Sequence, residues 1–301
     1  MSSLTASKSL LNNAWYMSKS GFKRGFVFLY GSRVVDVGEE ALPEYELSEL
    51  VIDFESKALI LHGYSILLDI VDYVFRGIRG NLDLSTLTRE ETKKLAEIGL
   101  VNAYISGVTL PVAFTEYTTA LADAARENGV RAGVLVERGT LSTNPFLVVF
   151  EIENGKLYFQ DKVLGDLNEV LCTPQRVKNT CVVVDARGYG NTLTAVEEVY
   201  RSTPSVIEAY EVLTKPYRVA GIDDGYVEKG SASDLIVYDL RNPLKTSPYS
   251  KVEYFYTVIA RSQQPDIVFV SGDVFYEFGE NLAIPVSRVD NILVKIREET
   301  S

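Results

Sequence analysis

The chain has 301 residues, 46% of them hydrophobic, 11% aromatic and 24% charged. That excludes a disordered chain and leaves enough apolar material for one barrel-sized domain or two ordinary ones. Acidic side chains outnumber basic ones 41 to 30, for a net charge of −11, so neither nucleic acid nor an anionic membrane is an expected partner.

Residues 1–11 lack the charged start and apolar run of a targeting segment. The longest apolar-rich stretch, residues 58–75, is interrupted by His62, Asp69 and Asp72, and falls short of the roughly 20 apolar residues of a membrane helix. A soluble, cytoplasmic protein is expected. Two cysteines, Cys172 and Cys181, are too few for a disulfide framework, and a reducing compartment is the simpler expectation. A single histidine, His62, excludes any device that needs two imidazoles from one chain. The scarcity of Met, Cys and His hints at a thermophilic source.

In chain order, residues 26–30 and 33–37 read as a hairpin around Gly31-Ser32, and Val51-Ile52-Asp53 as a further strand. Residues 58–68 are apolar enough for a buried strand. Thr88 followed by Glu91 is a capping box, which predicts a helix to about Asn102. Residues 106–112 read as a turn and strand. Residues 117–128 read as a helix that Gly129 stops, and residues 131–136 as the next strand. Residues 146–159 form a hairpin pattern around Glu153-Asn154-Gly155, and residues 181–185 a buried strand ending in an acid. Thr203-Pro204 suits a helix start that runs to about Thr214. Strands return at 234–238, 254–260, 267–270 and 274–276. The order β-rich, β/α, β-rich suggests that the two outer zones pair around an inserted β/α unit.

Four stretches then carry a resemblance. They are Val51-Ile52-Asp53 with Leu61-His62-Gly63-Tyr64; Ser106-Gly107-Val108-Thr109; the run from Asp185 to Tyr200; and the tail from Val227 to Leu240, followed by Val268-Phe269-Val270-Ser271-Gly272-Asp273-Val274. Together they resemble the metal-dependent amidohydrolase superfamily, in particular its cytosine-deaminase and chlorohydrolase-like branch. The resemblance implies an α/β fold: a reduced or incomplete TIM-like (β/α) barrel over residues 58–222, and a composite β-sandwich from residues 1–57 and 223–301. It also gives Asp185 the place of the last-strand aspartate, which in the family binds metal and takes a proton from the attacking water.

The departures are equally specific. Leu68 and Ile70, flanking Asp69, stand where the family carries His-x-His, and no later imidazole exists. The stretch between Val136 and Val182 is too short for several further β/α units of about 30 residues each. No metal-ligand set and no cofactor are therefore expected. The alternative is a divalent ion on carboxylates such as Asp69, Asp72 and Asp185. Asp185 is the candidate catalytic base, with a helix N-cap or a loop acid bonded to the amides of Gly188 to Asn191 as the plainer reading. Asp69, Arg76, Arg187 and Asn191 are the candidate substrate-binding residues; the alternative is a solvated turn for Arg76 and a turn residue for Asn191, and the Arg187-Gly188-Tyr189-Gly190 loop lacks the Lys-Ser/Thr of a P-loop.

The expected function is a divergent amidohydrolase-like protein without zinc-dependent hydrolysis, binding a small molecule or a protein partner. One alternative is an active hydrolase of carbon–nitrogen bonds using Asp185 and a carboxylate-bound divalent ion. Another is a structural subunit of an assembly. The aromatic clusters at 254–256 and 275–278 suggest a homo-oligomer.

Overall fold

The computed structural model describes residues 7–73, 87–141, 144, 146–189, 191–241 and 263–282. Arg76 and the strand expected at 254–260 lie outside these residues.

The first five strands are β1 (Lys8–Ser18), β2 (Gly21–Tyr30), β3 (Arg33–Gly38), β4 (Leu50–Asp53) and β5 (Ala58–His62). The hairpin expected around Gly31-Ser32 joins β2 and β3, with Tyr30 opposite Arg33. Strand β1, for which the sequence carries no alternating signal, pairs antiparallel with β2 along most of its length. A register shift between Leu11 and Ala14 breaks that ladder. Asn13 there takes φ +52°, a left-handed backbone that Asn tolerates better than most residues. On the other side β1 forks: its first half pairs with β4, and Trp15 and Tyr16 pair with β5.

The middle of the chain contributes β6 (Leu67–Leu68), α1 (Arg89–Ile105), β7 (Val112–Ala113), α2 (Thr118–Glu127) and β8 (Ala132–Glu137). The capping box forms as expected, with Thr88 and Glu91 each bonding the other's backbone amide. The expected hairpin is β9 (Leu147–Glu153) with β10 (Lys156–Phe159). Its two turn residues, Asn154 and Gly155, both have positive φ, as a tight two-residue turn requires. Then come β11 (Lys162–Asp166), α3 (Leu167–Val170), β12 (Leu171–Cys172) and β13 (Val183–Val184). Next are α4 (Thr192–Ser202) and α5 (Val206–Val219). The helix start expected at Thr203-Pro204 falls instead at Ser205, whose side chain accepts the Glu208 amide.

Strands β6, β7, β8 and β9 run parallel, and β10 and β11 complete the sheet as antiparallel neighbours. The strand expected across 58–68 is therefore two strands in two different sheets. Gly63 lies between them, and a Cβ there would collide with the Thr109 side chain. Leu67, Val112, Leu135, Phe150, Leu157 and Val183, drawn from six strands, converge in one buried apolar cluster.

The chain ends with β14 (Leu235–Asp239), β15 (Ile267–Val270), β16 (Asp273–Glu277) and β17 (Glu280–Asn281). Strand β14 pairs antiparallel with β5, from Leu235 opposite His62 to Asp239 opposite Ala58. Strands from the two ends thus share one nine-stranded sheet, in the order β17-β16-β15-β14-β5-β1-β2-β3 with β4 alongside β1. The composite sandwich expected from sequence is represented among the described residues by this single forked sheet. The largest core cluster packs residues of β5, β14 and β15 against residues of α1, α2, α4 and α5. No described helix is long and apolar enough to cross a membrane.

Candidate functional site

Parallel strands place their C-terminal ends on one edge, where loops can bring polar groups together. Leu68 of β6 lies opposite Ala113 of β7, and Leu67 bridges to Asp185, the residue after β13. Asp69, Phe114 and Asp185 therefore follow three neighbouring strand ends. The loop after Asp185 closes the group. Arg187 folds back on Asp185, its Nε donating to Oδ1 at 2.9 Å and its Nη2 to Oδ2 at 2.8 Å. The Arg187 backbone amide donates to Oδ1 as well, at 3.1 Å. Asp69 Oδ2 accepts the Gly188 amide at 3.0 Å. The Arg187 guanidinium also lies 4.8 Å from the centroid of the Phe114 ring, within cation–π range. Its hydrogen bonds to Asp185 raise the Arg187 pKa; partial burial opposes this, and the Asp69 charge adds to the rise. Near the same edge, burial raises the Asp72 pKa, with Asp69 and Glu116 adding like-charge repulsion.

The structure brings together Asp69, Asp185 and Arg187 from the sequence-derived candidates. Asn191 is the N-cap of α4, its side chain accepting the Leu193 amide at 2.8 Å. Phe114 was not among the candidates. A lone exposed aromatic after a two-residue strand has no periodic signature that would mark it. Leu68 and Ile70 are each 2% exposed and belong to the main core. Gly99 of α1 meets the Ile70 carbonyl so closely that it leaves no room for a Cβ.

His62 lies elsewhere. It is fully buried, with Nε2 3.0 Å from Asp223 Oδ2 and Nδ1 3.0 Å from the Gly63 carbonyl. Its ring meets Tyr217 edge-on. Burial pushes the imidazole pKa down, but Asp223 outweighs it and the net shift is upward. Burial likewise works against the Asp223 carboxylate, yet His62 and the amides of Ala232 and Gly225 hold its pKa down at about 2. Nearby, Asp234 is completely buried, accepting Arg131 Nη1 at 2.6 Å and the Ser271 amide at 2.7 Å. The two cysteines, expected as free thiols of a reducing compartment, form a disulfide between Cys172 and Cys181.

These placements test the donor set for a zinc centre, which needs about three His, Cys or carboxylate ligands around one point. His62 is committed within the core, both cysteines are bonded to each other, and both Asp185 oxygens face Arg187. Among the described residues no group of three or more His, Cys, Asp or Glu could hold a metal ion. The described residues do not fit a zinc site.

No family model and no curated protein matches the sequence. Solved structures do match, over nearly the whole chain. The atrazine chlorohydrolase of Arthrobacter aurescens TC1 complexed with zinc aligns with a TM-score of 0.70 at 12% identity, covering 96% of this chain and 99% of that one. An adenosine deaminase from Xanthomonas campestris with bound zinc aligns at 0.70 and 11% identity, covering 97% and 98%. An amidohydrolase from a Sargasso Sea environmental sample aligns at 0.65 and 13% identity, covering 97% and 99%. These likenesses correct the expectation of no cofactor. Two of the three proteins hold zinc, so the comparisons point to a divalent metal even though the described donors compose no site for one. The chain thus shares its fold with these hydrolases and this deaminase.

Proposed function

We propose that the protein hydrolyses a carbon–nitrogen bond of a small molecule at the Asp69–Phe114–Asp185–Arg187 edge. The observation that carries this reading is the position of Asp185. It follows β13, is bridged to β6 and faces the strand-end edge where such a fold gathers its polar groups. The whole-chain likeness to a triazine hydrolase, at a TM-score of 0.68, and to a deaminase supports the reaction class. In this arrangement Asp185 accepts a proton from the attacking water once substrate draws Arg187 aside. Arg187 then turns its fork toward the substrate, and the Phe114 ring bounds the mouth.

A second reading, binding without turnover, is favoured by one feature: Arg187 occupies both Asp185 oxygens. The experiment is an ammonia- and chloride-release screen of the purified chain against aminopyrimidines, purines, chlorotriazines and ureido compounds. It is run with and without added zinc, manganese and magnesium, and paired with elemental analysis. Turnover lost in Asp185→Asn supports hydrolysis. No turnover with any ion, together with saturable binding of a screened compound, favours the second reading. We also propose that the chain comprises two folding units, with the first boundary at Gly63 and not at 57/58, because β5 pairs with β1 and β14 in the sheet built from the two chain ends, with the second boundary near 222/223, and that the protein is a homo-oligomer.

A further inference from the structure

We propose that the Cys172–Cys181 disulfide is a redox-sensitive staple that positions Asp185. The staple itself stands on geometry alone; its consequence for turnover rests on the hydrolase reading above.

Cys172 ends β12 and Cys181 stands two residues before β13, with Cα atoms 5.8 Å apart. The parallel ladder between these strands is only two residues long, Leu171 opposite Val183 and Cys172 opposite Val184. So short a ladder holds weakly by itself. The next rung is the candidate base: the Asp185 amide donates to the Cys172 carbonyl at 2.7 Å. The residue that forms the crosslink thus also anchors the backbone of Asp185. On its other side, Asp185 is bridged to β6 through Leu67, and the Ala186 amide donates to the Leu67 carbonyl at 2.9 Å. Asp185 is clamped between a deep strand and a crosslinked short one, and the crosslink is the part that chemistry can undo.

The bond is placed for local opening. Cys181 is fully buried and Cys172 is 5% exposed. Most of the intervening residues, including Gln175, Arg176, Lys178, Asn179 and Thr180, are exposed. Lifting that loop toward solvent breaks the hydrogen bonds from Ser202 Oγ to the Pro174 carbonyl at 2.6 Å and from Lys215 Nζ to the Asn179 carbonyl at 2.8 Å, but no rung of the β12–β13 ladder. A dithiol reductant then attacks Cys172 Sγ as a thiolate. The protein S–S bond breaks, Cys181 leaves as a thiolate and takes up a proton, and the mixed disulfide is resolved by the reductant's second thiol. The net change is two electrons and two protons to the protein, with the reductant oxidised to its own disulfide. Two thiols no longer held at bonding distance push β12 away from the segment before β13. The hydrogen bond from the Asp185 amide to the Cys172 carbonyl, one residue beyond the ladder, is the contact that this movement loosens.

The test is amide hydrogen exchange on the full-length wild-type chain, oxidised and after dithiothreitol treatment without denaturant. Mass spectrometry first confirms the disulfide and then a gain of two hydrogens. Exchange of the Asp185 amide is expected to quicken tenfold or more on reduction, while core amides of β2 and β14 stay unchanged. The Cys172→Ser/Cys181→Ser variant, if it folds, is expected to match the reduced protein. Absence of the bond in air-oxidised protein overturns the proposal, as does a bond that dithiothreitol leaves intact or unchanged Asp185 protection after confirmed reduction. Quickened exchange in a protein that turns over no screened compound leaves the staple standing and removes only the hydrolase reading.

Discussion

Arg187 closes on Asp185 from two positions along the chain, using backbone and side chain together: three donors from one residue reach one carboxylate, at 2.8–3.1 Å. The pair sits at the surface edge, with the two side chains 32% and 20% exposed. Solvent-screened pairs of this kind contribute little to folding, about 1 kcal/mol or less. Arg187→Ala is therefore expected to shift the denaturation midpoint only slightly, while turnover of any responding compound falls at least tenfold. A stability loss of several kcal/mol would mark the pair as a fold element instead.

The His62–Asp223 pair makes stability depend on pH in two directions. Asp223 has a folded pKa of about 2 against an ordinary 3.8, so its contribution is present above about pH 4 and lost as pH falls toward 2. The His62 pKa is raised above 6.5. Its contribution is complete below that value and declines as pH rises through the folded pKa. Urea denaturation at pH 2.5, 5 and 8.5 is expected to give a maximum at pH 5. Asp223→Asn removes the acid-side contribution of the carboxylate and leaves burial to lower the His62 pKa, so stability should now rise from pH 5 to 8.5; an unchanged profile in that variant would refute the assignment.

Arg131 and Asp234 join the start of β8 to the start of β14, with Asp234 completely buried. Among the described residues, Arg131→Ala leaves that carboxylate the Ser271 amide as its hydrogen-bond donor. An uncompensated buried charge costs about 3–5 kcal/mol. Calorimetry should show a clearly lowered melting temperature, and Asp234→Asn combined with Arg131→Ala should recover part of the loss.

Leu67 is fully buried in the cluster that the parallel strands share, and its carbonyl holds the Ala186 amide. Leu67→Ala is expected to cost about 3 kcal/mol through the cavity it leaves. It should also loosen Asp185, read as faster exchange of the Ala186 amide. Leu67→Met, close in volume, should restore both.

What could be read from sequence was mostly local. The capping box at Thr88 and Glu91, the Gly129 stop and the turn at Asn154-Gly155 each rest on chemistry within four residues, and all form. The tail motif around Asp234 is a strand, as expected. The failures lie where distant contacts decide. Strand β1 has no strict alternation because a bulge at Asn13 resets its pattern midway. Helix α4 hid behind a glycine-containing loop, so Asn191 read as a substrate-binding or turn residue although it caps that helix. The strand expected over 58–68 is one apolar run in sequence, but Gly63 passes it from one sheet to another. Of the site, Asp69, Asp185 and Arg187 were legible as charged residues beside apolar strands. Their meeting was not, because it depends on β6 lying next to β13. The Cys172–Cys181 bond was equally hidden: a separation of nine residues says nothing about pairing until two short strands bring the sulfurs together.

The seam between β5 and β14 carries a consequence for how the chain is made. Residues 58–62 acquire their antiparallel partner only when residues 235–239 have left the ribosome. Until then one flank of an all-buried strand offers unsatisfied amides and carbonyls to whatever arrives first. A nascent or prematurely terminated chain is thus primed for edge-to-edge association between molecules, and shielding by a holdase during synthesis would be the natural remedy.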